Sequence, residues 1–188
     1  MFHANTQRVI ADWAARRGAR LAPARADIEP GAFREILPQL LILGLAEDGA
    51  APFRLAGGLV TELHGRDLRG VCFYSLWIGA DGAEARAAFD TAAADGTPVV
   101  LQASAWTAAG DRARLEIVLA PLTGASGALD RVLGFYQPTS SLHRLMGASV
   151  EALTLDAVRT PDPDLPIFVG RPERAHLRLA TLDGRRLD

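Results

Sequence analysis

The chain has 188 residues, 49% hydrophobic and 22% charged, with 20 basic against 22 acidic side chains. That length and balance suit one globular domain with its own core, and the near-neutral charge argues against nucleic acid as the main partner. A single cysteine, Cys72, excludes an internal disulfide, no stretch is apolar enough to span a membrane, and the N-terminus lacks a signal-peptide pattern, so the expectation is a cytoplasmic protein.

Residues 6–17 predict an amphipathic helix with Val9, Ile10 and Trp13 on one face and Gly18 as its stop. That stripe must be buried, either on the helix's own domain or against a second copy of the chain. Residues 21–28 read as extended. Pro30 then opens a short helix that Pro38 closes. The apolar run 40–45 predicts a buried strand, and residues 53–56 a second strand joined to it by the Asp48-Gly49 turn. Short helical pieces broken by glycine fill residues 57–77. A longer helix follows from Asp81, with Asp81 and Glu84 at capping-box spacing and Gly96 as stop. Residues 98–107, 112–122 and 129–137 predict three strands. The second shows the clearest alternation: Ala113, Leu115, Ile117 and Leu119 against Arg114, Glu116 and Val118. In the last part, 140–146 suggests a helical turn and Leu153, Leu155 and Ala157 suggest another strand. The run 161–166 is proline-rich, and five arginines fall within 171–186.

A hairpin, then helices, then a three-strand meander can form one antiparallel sheet with helices over one face, enclosing space for a small molecule. The chain further resembles the PAS-domain proteins, in particular the short stand-alone PAS proteins of alphaproteobacteria. The resemblance rests on Trp13 with Arg16-Arg17-Gly18, on Pro23 to Ile28 with Pro30, and on Leu37-Pro38. It continues with Arg54-Leu55-Ala56-Gly57 and with Gly65-Arg66-Asp67-Leu68-Arg69-Gly70 leading to Leu76-Trp77. It implies an α+β fold: a PAS-like five-stranded antiparallel sheet with helices covering one face, plus an N-terminal helix and a C-terminal extension. The expected divisions are 1–19 for the helix, 20–146 for the PAS-like domain, and 147–188 for the extension. The implied function is sensory or regulatory; separately, the lack of catalytic signatures gives the expectation that the chain is not an enzyme.

His64, Cys72, Trp77, Phe89, Leu101, Leu115, Ile117 and Phe135 fall on elements that would surround the cavity, either lining a ligand pocket or filling the core. The cofactor is left unknown. Light-sensing PAS domains carry a flavin-reactive cysteine in Gly-x-Asn-Cys-Arg-Phe-Leu-Gln. Here Gly70-Val71-Cys72-Phe73 sets the cysteine one residue early and lacks the Asn, Arg and Gln, which argues against flavin. Haem PAS proteins ligate iron from a histidine on the long helix, and residues 81–95 contain none, which argues against haem. The four histidines are too scattered for a metal site. Ser141 and His143 lack the turn and oxyanion signature of a hydrolase.

The sequence therefore predicts a PAS-type sensor that binds a small ligand, a signalling protein partner, or both. Pairing through Val9, Ile10 and Trp13 would make it a homodimer. The rival reading is a ligand-free interaction adapter, and a third is a small-molecule enzyme using the same cavity. The arginine-rich tail reads either as a contact for an acidic partner or as a solvated end.

Overall fold

The computed structural model describes residues 1–145 and 147–161. The proline-rich run beyond 161 and the arginine-rich tail lie outside the described residues. Six strands form one antiparallel sheet in the order β2-β1-β5-β4-β3-β6. They are β1 (Leu40–Gly44), β2 (Phe53–Ala56), β3 (Val99–Thr107), β4 (Arg112–Thr123), β5 (Leu129–Pro138) and β6 (Val150–Arg159). The hairpin and the meander form as the sequence predicts. The sixth strand is the C-terminal segment with alternating Leu153 and Leu155, laid antiparallel on β3.

Helices lie on both faces. On one, α2 (Gly58–His64), α3 (Asp81–Ala94) and single 3-10 turns pack over the sheet. Their side chains Val60, Leu63, Phe73, Trp77 and Phe89 meet Leu101, Leu115, Ile117 and Tyr136 from the strands. On the other face lies α1 (Ala4–Arg17). Its Val9, Ile10 and Trp13 are buried against Val118, Ala120, Leu122, Leu133 and Phe135. The stripe expected to pair two copies is thus spent inside this chain, because β4 and β5 are apolar on both faces. Burial of that stripe stabilises the helix at roughly 25 cal/mol per Å² of apolar surface. The indole N–H of Trp13 completes the contact by donating to the Pro121 carbonyl at 2.8 Å.

The motif residues around α1 do structural work. Arg16 pairs with Asp12 at 2.6 Å and also donates to the Asp27 carbonyl. Asp27 accepts from Arg20 at 2.7 Å and from the Ala24 backbone N–H at 3.0 Å, so its carboxyl is held below the usual range, chiefly by the Arg20 hydrogen bond. Gly57 serves by lacking a side chain: a Cβ there would lie 2.4 Å from the Pro38 carbonyl oxygen, which brings the Leu37-Pro38 and Arg54 to Gly57 pieces together. Gly65 ends α2 in the left-handed region at φ 60°.

A candidate interior site and its link to the sixth strand

The helix-covered interior is crossed by touching rings. Phe73 lies 6.1 Å from Phe53, 5.4 Å from Tyr74 and 5.7 Å from Trp77, centroid to centroid. Beyond them, His64 at the end of α2 meets Tyr136 of β5 edge-on, at 6.2 Å. Three polar atoms here have no hydrogen-bond partner: His64 Nε2, Tyr136 Oη and Trp77 Nε1. Each such atom costs on the order of 1–3 kcal/mol when left unsatisfied away from water. Burial lowers the His64 pKa to about 4; the Val150 backbone opposes this by hydrogen bonding the ring, and Arg66 adds to the lowering. The imidazole is therefore neutral at neutral pH, with Nε2 left as an unpartnered acceptor.

Of the expected pocket residues, His64, Trp77, Phe89, Leu101, Leu115 and Ile117 are buried on this side of the sheet. Phe135 is not among them. Strand alternation turns it to the opposite face, under α1, and brings Tyr136 inward in its place. Cys72 is also outside the interior. It is half-buried beside the β-bridge to Pro52, in a surface hollow shared with Asp48, Tyr74 and Arg86. Ser141 and His143 lie at the far end of the sheet. There the Ser141 hydroxyl accepts the His143 backbone N–H at 3.2 Å, a local turn contact. Among the described residues, no cluster of three or more His, Cys, Asp or Glu side chains is arranged to hold a metal ion.

The side chains that sequence reasoning missed are those joining the interior to β6. Asp81 does not form the expected capping box with Glu84. Ala80 occupies the cap position, and the Asp81 carboxylate accepts the Leu155 backbone N–H at 2.7 Å. Ile78 N–H donates to the Leu153 carbonyl at 2.9 Å, and Trp77 bridges Leu153 in parallel. Together with the His64 contact to Val150, these fasten the strand that follows the five-strand core to the residues lining the interior.

A family model described as the PAS domain matches residues 1–137. The chain belongs to the PAS domain family. The match ends inside β5, so β6 and the Asp81 contact to it are additions to the matched part of this PAS domain. Among solved structures it is similar to the Rhodobacter sphaeroides LOV protein. The identity is 20% and the TM-score 0.45, over 57% of this chain and 66% of that one. It is also similar to an RNA-binding light-oxygen-voltage receptor, at 19% identity and TM-score 0.46, over 58% of this chain and 33% of that one. A third is the PAS domain of the fruit-fly ELK potassium channel, at 10% identity and TM-score 0.45, over 60% of this chain and 94% of that one. No curated protein sequence matches this one. Among the described residues, no helix of this PAS domain is long and apolar enough to cross a membrane.

Proposed function

We propose that this PAS domain is a sensory and regulatory module that takes a small polar ligand at His64 and Tyr136 and signals through β6. The observation that carries the reading is the pair His64 Nε2 and Tyr136 Oη, buried on rings that meet edge-on and both without a partner. A small molecule or ordered water that hydrogen-bonds both removes their cost. Its arrival changes the surroundings of Val150 at the same time, because His64 touches that backbone. β6 is then the element whose packing shifts between two populations, and a protein partner that contacts it receives the change. No catalytic step belongs to this reading.

The packed rings Phe53, Phe73 and Trp77 favour a second reading, an adapter with a filled core that works by contact alone. Native mass spectrometry with a visible absorbance scan separates the two. The sensor reading expects a mass above that of the bare chain, and the excess is lost in His64→Leu. A bare-chain mass, together with a Tyr136→Phe variant that gains stability, removes the ligand and leaves the adapter. Tyr136→Phe decides because its hydroxyl is stabilising only if something partners it.

A further inference from the structure

We propose that the turn end of the β3–β4 hairpin, where Trp106, Arg112, Ser140, Ser141, His143 and Arg144 surround a hollow of about 580 Å³, binds the phosphate group of a small phosphate ester. The site shares no residue with the interior pair and does not depend on it. Its volume falls in the range that takes a small molecule, roughly 300–1,000 Å³.

The donors are built in. Trp106 is fixed by its indole N–H, which donates to Thr154 Oγ1 at 3.0 Å. The Arg112 guanidinium stacks on that ring, 5.4 Å from its centroid, which holds the planar fork in place while leaving its N–H edge open. Arg144 reaches the hollow from the 3-10 turn His143–Leu145, and His143 lies beside it. The Ser140 and Ser141 oxygens accept backbone N–H groups from Arg114 and His143, so each hydroxyl proton remains to be donated.

The charge is uncommitted on one side only. Among the described residues, no hydrogen bond or ion pair engages the Arg112, Arg114 or Arg144 guanidinium. Asp111 is the one carboxylate lining the hollow. An adjoining hollow of about 560 Å³ shares Arg112 and adds Arg114, with Glu116 and Asp156. Both of those carboxylates are already engaged by neutral donors. Glu116 accepts the His3 backbone N–H at 3.0 Å, and Asp156 accepts the Ser104 hydroxyl at 2.8 Å. Forked guanidiniums and hydroxyls on one wall match the three oxygens of a phosphate monoester.

Titration calorimetry of the full chain at low salt tests this with adenosine monophosphate, ribose 5-phosphate and inorganic phosphate. Adenosine and ribose serve as phosphate-free controls. Saturable binding of at least one ester is expected, with none for the controls. Arg112→Ala and Arg144→Ala should each weaken it about tenfold, the loss of one charge-assisted hydrogen bond. Arg34→Ala, exposed and distant, should leave it unchanged. Arg144 sits on an exposed turn, so its variant decides the matter if Arg112→Ala does not fold. Absence of saturable binding, or equal losses in all three variants, overturns the proposal. So does equal affinity for an acidic peptide without phosphate, or binding to phosphatidic acid vesicles and to none of the soluble esters. His64→Leu should not alter the affinity, which keeps this site's failure distinct from that of the interior reading.

Discussion

Trp13 and Pro121, 108 positions apart in sequence, are joined by a buried hydrogen bond of 2.8 Å from indole N–H to backbone carbonyl. It pins α1 to the C-terminal end of β4. Trp13→Phe keeps most of the buried ring and strands the carbonyl, so unfolding in urea should show a loss of about 1–3 kcal/mol. Trp13→Ala adds a cavity and should cost about 3–5 kcal/mol. Equal stability of Trp13→Phe and the unaltered chain would show that the bond contributes nothing.

Gly57 and Gly58 offer a matched pair. A Cβ on Gly57 would meet two backbone oxygens, those of Pro38 at 2.4 Å and Leu37 at 2.6 Å, whereas one on Gly58 meets nothing within 4 Å. Backbone cannot step aside as a flexible side chain can. Gly57→Ala should therefore destabilise by more than about 2 kcal/mol, among the larger single-site effects. Gly58→Ala, at the start of α2, should be neutral or stabilising by up to about 1 kcal/mol. Thermal unfolding of the two variants side by side gives the comparison.

Asp81 holds the Leu155 amide. Asp81→Ala should speed hydrogen exchange at Leu155 and its neighbours on β6 and leave β4 and β5 protected. The free energy lost is about 1–3 kcal/mol, confined to that strand. Asp81→Asn keeps an acceptor oxygen and should behave nearly as the unaltered chain. Uniform exchange along all six strands in Asp81→Ala would contradict a local fastening.

His64 makes stability depend on acidity. The unfolded chain takes up a proton near the ordinary value of 6.5, whereas the folded one resists until about 4. The stability that comes from keeping the ring neutral is whole above pH 6.5 and is lost as pH falls through that interval, by about 3 kcal/mol in all. Urea midpoints measured from pH 7.5 down to 4 should show the decline. His64→Leu should remove that share of it, since no proton can then be bound at that position.

Much of the strand layout was legible because alternation and turn residues act locally. Ala113, Leu115, Ile117 and Leu119 share the interior face as their spacing predicts, and the Asp48-Gly49 turn sits between β1 and β2. What failed were questions of partner. Val118, Leu133 and Phe135 interrupt a polar-outside pattern, and that was the available sign that a second layer covers the sheet. Read so, Val9, Ile10 and Trp13 find their partner within the chain. The same parity assigns Tyr136 rather than Phe135 to the interior. Asp81 matched a local capping rule, but a backbone N–H 74 positions later claimed its carboxylate, and no window of sequence contains both. The His64 and Tyr136 pairing was missed for the same reason, since only the fold brings α2 against β5.

The contact between α1 and the sheet also sets an order of events during synthesis. Trp13 leaves the ribosome before Phe135, and the face it covers is not finished until Phe135 has been added. At roughly 5–20 residues per second that delay is about 6 to 25 s. Through this interval a helix with a bare apolar stripe waits beside a chain that cannot yet receive it. A newly made molecule is therefore most open to chaperones, and to capture by a neighbouring chain, along this helix.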